Sequence, residues 1–301
     1  MSLDIYHRRE YRQGKFVYLL DDEEKTAWIA KGHIGRCRRY RLPDHVMVDG
    51  VRYTIVGVEA GAYNTPRTLH HLAIPDSIHD FDEYCFDGFK NLESIHLGKE
   101  WDYMDGWYFI NCPKLRAIHI DKDNPYLKVH NGMVLSKDGT TVYLGFADRK
   151  DLTIPDGAEE IGQYAFWHHK KLETIQFPKT LRKVGDNSFS NCPKLRSVVL
   201  PDGFRECVVQ CFIENKNLNL IDFPSTFLNL GYQTMIECPN LQTIVLRALQ
   251  VVETLNDHPY GGIPTDTCRL YVPVSLVEQY RQDPEWSVFK HILPIEELPN
   301  Q

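Results

Sequence analysis

Prolines close a series of short apolar runs at Pro75, Pro155, Pro178, Pro201 and Pro224, and the last four stand 23 residues apart. Stepping 23 residues from Pro75 reaches Gly98 and then Asp121, and the same step from Pro224 reaches Arg247. The other columns keep this register. An aromatic column holds Tyr63, Phe86, Phe109, Phe166, Phe189 and Phe212 and ends in Met235, and six residues later comes an unvarying leucine: Leu69, Leu92, Leu115, Leu172, Leu195, Leu218 and Leu241. Two further apolar columns follow, from Leu72 to Ile244 and from Ile74 to Leu246. A unit this short cannot bury its own apolar face, but stacked units share one continuous core, so the period predicts a solenoid. In each unit the L-x-x-I-x-I segment gives a short strand with its I-x-I side chains inward, and successive strands make a parallel sheet along the array. The proline after each strand lacks an N–H and ends the pairing. The rest of each coil is expected to return through turns and a helical or irregular segment, which makes the class an α/β repeat solenoid.

The motif is more specific than its period. Mid-coil segments read Ala165-Phe166, Ser188-Phe189-Ser190-Asn191-Cys192 and Tyr108-Phe109-Ile110-Asn111-Cys112. Units of 23 residues with I-P after the strand and A-F-x-x-C in mid-coil resemble the BspA-type leucine-rich repeats. Seven units cover 53–121 and 156–247, with an insertion over 122–155, so the expected organisation is an N-terminal β cap over 1–52, a solenoid over 53–247 and a C-terminal cap over 248–301. In the first cap Phe16-Val17-Tyr18-Leu19 and Ala27-Trp28-Ile29-Ala30 read as paired strands, and Val48 to Val56 resembles the family's lead-in hairpin. Asn124 to Gly139 resembles its insertion hairpin, with Lys137-Asp138-Gly139 as the expected turn. The family's end piece is matched by Leu270-Tyr271-Val272-Pro273 with Glu285-Trp286 and Leu293-Pro294-Ile295. There Ser275-Leu276-Val277-Glu278 has capping-box spacing, and Asp283-Pro284 stops that helix and offers a second start.

Eight cysteines in a chain of 301 residues do not read as the disulfide framework of a small secreted domain. Cys112, Cys192 and Cys238 share one column, Cys85 and Cys211 share the small-residue column, and Cys207 replaces an isoleucine, so these six read as buried, reduced packing residues. Only Cys37 and Cys268 lie outside the columns. No H-E-x-x-H, G-x-S-x-G, Walker loop or C-x-x-C is present, and no carboxylate pair suggests glycoside hydrolysis, so neither an enzyme nor a cofactor is expected. Cys207 and Cys211 are read as core rather than a zinc pair. His96 and His119 occupy the same outward strand position in adjacent coils, and a solvated histidine ladder is the expectation over a metal pair.

With 34 Lys+Arg against 41 Asp+Glu and a net charge of −7, a general nucleic-acid binder is not expected. No stretch approaches ~18 consecutive apolar residues, so no membrane span is expected. Function is then expected on the surface. The outward rows run His71, Ser94, Ala117, Thr174, Ser197, Leu220, Thr243 and Ala73, His96, His119, Gln176, Val199, Asp222, Val245. The candidate ligand contacts are His71, Ser94, His96, His119, Thr174 and Gln176, together with Tyr103 and Trp107 of the segment Trp101 to Tyr108. Trp101 and Met104 of that segment fall in core columns. Tyr103 and Trp107 serve either as exposed anchors for protein or sugar or as packing beneath the insertion hairpin. Glu93 with Arg116, and Glu173 with Arg196, are expected as cross-strand ion pairs that fix register. The resemblance implies a non-catalytic adhesion role at the bacterial surface or in secreted form, with a protein or, alternatively, a glycan as partner. Met1 to Lys15 carries no apolar run of the kind a signal peptide needs, which leaves a cytoplasmic protein-interaction scaffold as the alternative, and a carbohydrate-binding accessory module as the third.

Overall fold

A computed structural model of the chain describes residues 8–63, 66–146, 149–255 and 260–299. The first half of the segment read for an export signal, residues 1–7, lies outside the described residues. The chain divides into two compact units, Met1–Lys137 and Asp138–Gln301.

In the first unit, Phe16–Asp21 pairs antiparallel with Thr26–Lys31, and His45–Val48 pairs antiparallel with Val51–Val58 through a turn at Asp49 and Gly50. Both turn residues have positive φ, 50° and 83°, which suits Asp-Gly in a two-residue hairpin. The repeat strands follow. Arg39–Arg41, His71–Ala73, Ser94–Leu97 and Ala117–Ile120 lie side by side as one parallel sheet. The insertion hairpin pairs Leu127–His130 with Met133–Ser136 through a turn at Asn131-Gly132, at φ 48° and 76°. Asn124 anchors it: the buried side chain donates to the carbonyls of Trp101 and Gly98 and accepts from the N–H groups of Tyr126 and Leu127. Lys137-Asp138-Gly139 makes the next tight connection, from Met133–Ser136 to Thr141–Gly145, with Gly139 at φ 92° and the Asp138 carboxylate accepting from the Thr140 N–H at 2.9 Å. The Lys137 ammonium donates to the Asn124 carbonyl at 2.6 Å and ties the start of that turn back to the anchor.

The second unit has its repeat strands in two parallel sheets, Asp151–Thr153 with Thr174–Gln176, and Ser197–Val199, Leu220–Phe223, Thr243–Leu246, Arg269–Val272 and His291–Pro294 side by side. The prolines act as read: the carbonyls of Pro155, Pro178, Pro201 and Pro224 each accept a turn hydrogen bond from the residue three positions on. The return segments are not helical. Thr141–Gly145, Glu160–Ile161, Lys183–Val184, Glu206–Val209, Asn229–Tyr232 and Glu253–Thr254 make a second parallel sheet. Close approach there needs glycine, since a Cβ on Gly231 would stand 1.8 Å from the Val208 carbonyl oxygen and one on Gly185 2.9 Å from that of Ile161.

Among the described residues the one α-helix is Val277–Gln282. Its N-cap is Leu276, with no side-chain cap hydrogen bond, so the capping box expected at Ser275 is not made; that residue lies in the 3₁₀ turn Val274–Leu276. The helix stops before Asp283, whose carboxylate accepts from the N–H groups of Glu285 and Trp286 and starts the next turn.

In both units the core is the stacked columns. Every member of the leucine and aromatic columns is buried. Phe86 stacks on Phe109 in the first unit, and Phe166, Phe189 and Phe212 stack in series in the second, with ring centroids 5.0–5.7 Å apart. The cysteine column does more than fill space. Cys112, Cys192 and Cys238 donate their thiols to the carbonyls of Phe86, Phe166 and Phe212 at 3.3 Å, and Asn215 does the same to Phe189 at 3.0 Å. The mid-coil cysteine is thus a weak donor that caps the aromatic residue of the preceding coil.

All eight cysteines are free thiols. Burial raises the Cys112, Cys238 and Cys268 thiols to about 12, far from the thiolate range. An aromatic disulfide reagent is therefore expected to label the native chain slowly, with half-buried Cys37 first, and to count eight thiols after denaturation. A count of two or fewer in the denatured chain would overturn the reduced-core assignment.

Candidate interaction surface

In each sheet the strand residues between the buried columns point away from the core. In the first unit these form two rows in exact register: Arg39, His71, Ser94, Ala117 and Arg41, Ala73, His96, His119. His96 and His119 are exposed and directly paired. His71 and Ser94 are half-buried and share a hydrogen bond of 2.7 Å between Nδ1 and the hydroxyl. Desolvation, then the Arg39 guanidinium, lowers the His71 pKa, and Glu93 opposes them. The neighbouring row is an ionic ladder, in which Glu93 accepts from His70 at 3.0 Å and pairs with Arg116. The His70 hydrogen bond is the main reason the Glu93 pKa lies below the usual carboxylate value.

Arg39 and Arg41, placed by sequence reasoning in the cap, belong to this face. The signal was available: Tyr40-Arg41-Leu42-Pro43 repeats the strand-then-proline ending without the leucine that heads a full unit.

In the second unit Thr174 and Gln176 are exposed, Thr174 donating to Asp151 at 2.6 Å and Thr153 donating to Gln176 at 3.3 Å. Arg196 pairs with Glu173 at 3.1 Å as expected, and Lys150 extends that ladder from the other side at 3.6 Å. Three residues read as outward and exposed are buried: Leu220, Asp222 and Val245. At Asp222 the reason is Arg247, which occupies the proline position of its unit and lays a bidentate guanidinium on the Asp222 carboxylate at 2.8 and 2.9 Å. The open part of this face therefore ends near Val199, which is 52% exposed.

In the aromatic segment Trp101 and Met104 are buried, while Tyr103 is 46% exposed. The Tyr103 hydroxyl donates to buried Asp105 at 2.6 Å. Burial raises the Asp105 pKa and this hydrogen bond opposes the rise. Trp107 lies half-buried beside exposed Tyr84, with ring centroids 6.3 Å apart. The structure thus brings His71, Ser94, His96 and His119 onto one sheet, Thr174 and Gln176 onto another, and Tyr103 and Trp107 onto neither strand face.

Among the described residues no group of three or more His, Cys, Asp or Glu side chains is placed to hold a metal ion. Cys207 and Cys211 are both buried, the Cys211 thiol donates to the Val184 and Gly185 carbonyls at 3.4 Å, and burial raises the Cys207 thiol well above its usual value. No helix among the described residues is long and apolar enough to cross a membrane.

Comparison with known proteins agrees with this architecture. The family model described as a BspA type leucine rich repeat region matches residues 53–130 and 142–259 in six copies. No curated protein sequence matches the chain. Among solved structures, a leucine-rich repeat protein from Bacteroides ovatus is 19% identical, over 94% of this chain and 67% of that one, with a TM-score of 0.53. The pneumococcal vaccine antigen PcpA is 15% identical over 95% of this chain and 98% of its own, at 0.51. A leucine-rich repeat protein from Eubacterium ventriosum is 13% identical over 82% and 81%, at 0.52. At such identities the likeness is one of fold.

Proposed function

The chain belongs to the BspA type leucine rich repeat family, and from that premise we propose that it is a non-catalytic binding protein whose open sheet faces engage a protein partner in adhesion at the bacterial surface. The family points to protein interaction or adhesion, and its members and structural neighbours are repeat proteins, generally without enzymatic activity. The observation that supports the reading is the row of outward residues: His96, His119, Thr174 and Gln176 are exposed polar groups on rigid strands, with no part in the core. Repeat scaffolds present such rows as extended binding surfaces, because backbone pairing fixes the spacing of the side chains before any ligand arrives. Apart from the strands Arg39–Arg41, Arg269–Val272 and His291–Pro294, which belong to the repeat sheets, the segments 1–52 and 248–301 serve in this reading as caps that cover the ends of the stacked core.

A glycan ligand is the second reading, favoured by the exposed Tyr84 ring beside Trp107 and by the exposed Tyr103 ring of the same aromatic segment. One experiment separates the two. The intact chain is immobilised and presented with extracellular-matrix proteins and a glycan array. A protein partner captured by the sheet face is expected to lose about tenfold or more in affinity, ~1.4 kcal/mol, on His96→Glu with Thr174→Glu. Leu249→Ser, at a residue 82% exposed and outside the strands, is expected to leave binding unchanged. A captured protein indifferent to every face substitution would overturn the proposal, and glycan binding lost on Trp107→Ala would replace it with the second reading.

A further inference from the structure

We propose that the outward face of the sheet in Met1–Lys137 takes a short acidic polypeptide segment, held by Arg39, Arg41, His71, His96 and His119. This rests on the reading of the sheet faces as binding surfaces and narrows one of them to a class of partner.

The face has eight outward positions in two rows, and five carry nitrogen bases while none carries a carboxylate. That composition runs against the chain as a whole, which has 41 acidic residues against 34 Lys+Arg. The matching rows of the second unit, from Asp151 and Thr153 through Ser197 and Val199, hold no base. Arg39 and Arg41 are exposed, and among the described residues neither has an ion-pair partner. The carboxylate beside the face, Glu93, is already engaged by His70 and Arg116. Ser94, Ala73 and Ala117 fill the remaining positions, so the floor between the bases is flat enough for a backbone to approach.

Guanidinium groups recognise carboxylates through two parallel N–H donors, and imidazolium groups add charge-assisted hydrogen bonds. Arg39 and Arg41 are two residues apart on one strand, about 6.8 Å, which is also the repeat of side chains on one side of an extended peptide. The four strands span about 14 Å, the length of roughly four extended residues. Asp44, Asp76 and Asp121 follow the ends of three of these strands and close the basic strip on that side. A short acidic segment fits inside that boundary. A long polyanion of uniform charge, such as a sulfated polysaccharide, overruns it and meets those carboxylates in a chain whose net charge is already −7.

The histidines make the face pH-dependent. His71 faces Arg39 from one neighbouring strand and Ser94 from the other, with His70 beside it and Glu93 in the adjoining row. His96 faces Ala73 and His119, with Arg41 one strand further and Arg116 at the head of the last strand. Protonating any of these imidazoles adds positive charge to the face, so its affinity for carboxylates rises as the pH falls.

The test is fluorescence anisotropy of a rhodamine-labelled (Glu-Ser)n peptide of about ten residues against the intact chain, at about pH 5.5 and 7.5. The Gln-for-Glu peptide and a sulfated oligosaccharide serve as parallel probes. The acidic peptide is expected to bind more tightly at the lower pH. Arg39→Ala with Arg41→Ala should weaken it about tenfold or more with an unchanged melting curve, and exposed Lys216→Ala should have no effect. Equal binding of the Gln peptide, indifference to the double substitution, or binding of the sulfated oligosaccharide without the peptide would overturn the assignment. If a protein partner captured as above is lost on Thr174→Glu but kept by the double arginine variant, the acidic-segment assignment fails while the sheet remains a binding surface. Indifference to both sets overturns both readings.

Discussion

Leu195→Ala is expected to lower the unfolding free energy of the second unit by about 2–5 kcal/mol in chemical denaturation. Leu195 is completely buried, as are Leu172 and Leu218 in the coils on either side. Its N–H closes a turn on the Cys192 carbonyl at 3.0 Å, so the backbone beneath it is fixed and cannot settle into the space that three lost carbons leave. A globular core can draw side chains into a cavity from several directions. A coil in a stack has only its two neighbours to draw on, and both are held in register, one by the parallel pairing of Ser197–Val199 with Leu220–Phe223 and the other by that of Glu160–Ile161 with Lys183–Val184. The loss therefore combines the transfer term with most of the cavity term, and falls toward the upper part of the range. Leu228→Ala, at a residue 42% exposed, is expected to change stability by about 0.5 kcal/mol or less. A loss below about 1 kcal/mol at Leu195 would mean that the column is not the core.

How much of this was legible follows from what each signal depends on. The inward columns depend on one coil meeting an identical coil, so they recur at a fixed period and could be read directly. The second parallel sheet has strands of only two residues at Glu160–Ile161 and Lys183–Val184, too short for an alternating pattern. Its trace in the sequence was the glycine column at Gly162, Gly185 and Gly231, and at the last two the neighbouring backbone approaches too closely for a side chain. In the insertion Lys137-Asp138-Gly139 was legible as a turn, while the earlier turn at Asn131-Gly132 was passed over, because the strand it closes, Leu127–His130, has no counterpart in the repeat.

The surface was less legible than the core for the same reason. Whether an outward position is open depends on a neighbour that departs from the repeat. Asp222 is covered because Arg247 replaces a proline two rows away and reaches back to it. Arg39 and Arg41 join the first sheet through a strand that has the end of the motif without its beginning. In both cases the informative residue is one that breaks the period, and a reading built on the period passes over it.

Asn215 is the breaking residue with the largest expected consequence. It stands where neighbouring coils have Cys192 and Cys238, and it is fully buried. Its carbonyl accepts the Cys192 N–H at 2.8 Å, and its amide donates to the Phe189 and Phe212 carbonyls at 3.0 and 2.8 Å. Asn215→Ala removes all three bonds. The Phe212 carbonyl keeps the Cys238 thiol at 3.3 Å, while the Cys192 N–H and the Phe189 carbonyl lose the side chain that holds them inside the stack. Each buried group so stranded costs about 1–3 kcal/mol, giving an expected loss of roughly 2–6 kcal/mol in denaturant titration. Asn215→Cys discriminates between lost hydrogen bonds and lost volume. It restores a donor to the Phe189 carbonyl, as the cysteines do in their own coils, and strands only the Cys192 N–H. Its expected loss is therefore about 1–3 kcal/mol, below that of the alanine variant. Equal losses from the two substitutions would mean that the cysteine column packs without donating, and a loss below about 1 kcal/mol for Asn215→Ala would remove the hydrogen bonds themselves from the account of how the coils are joined.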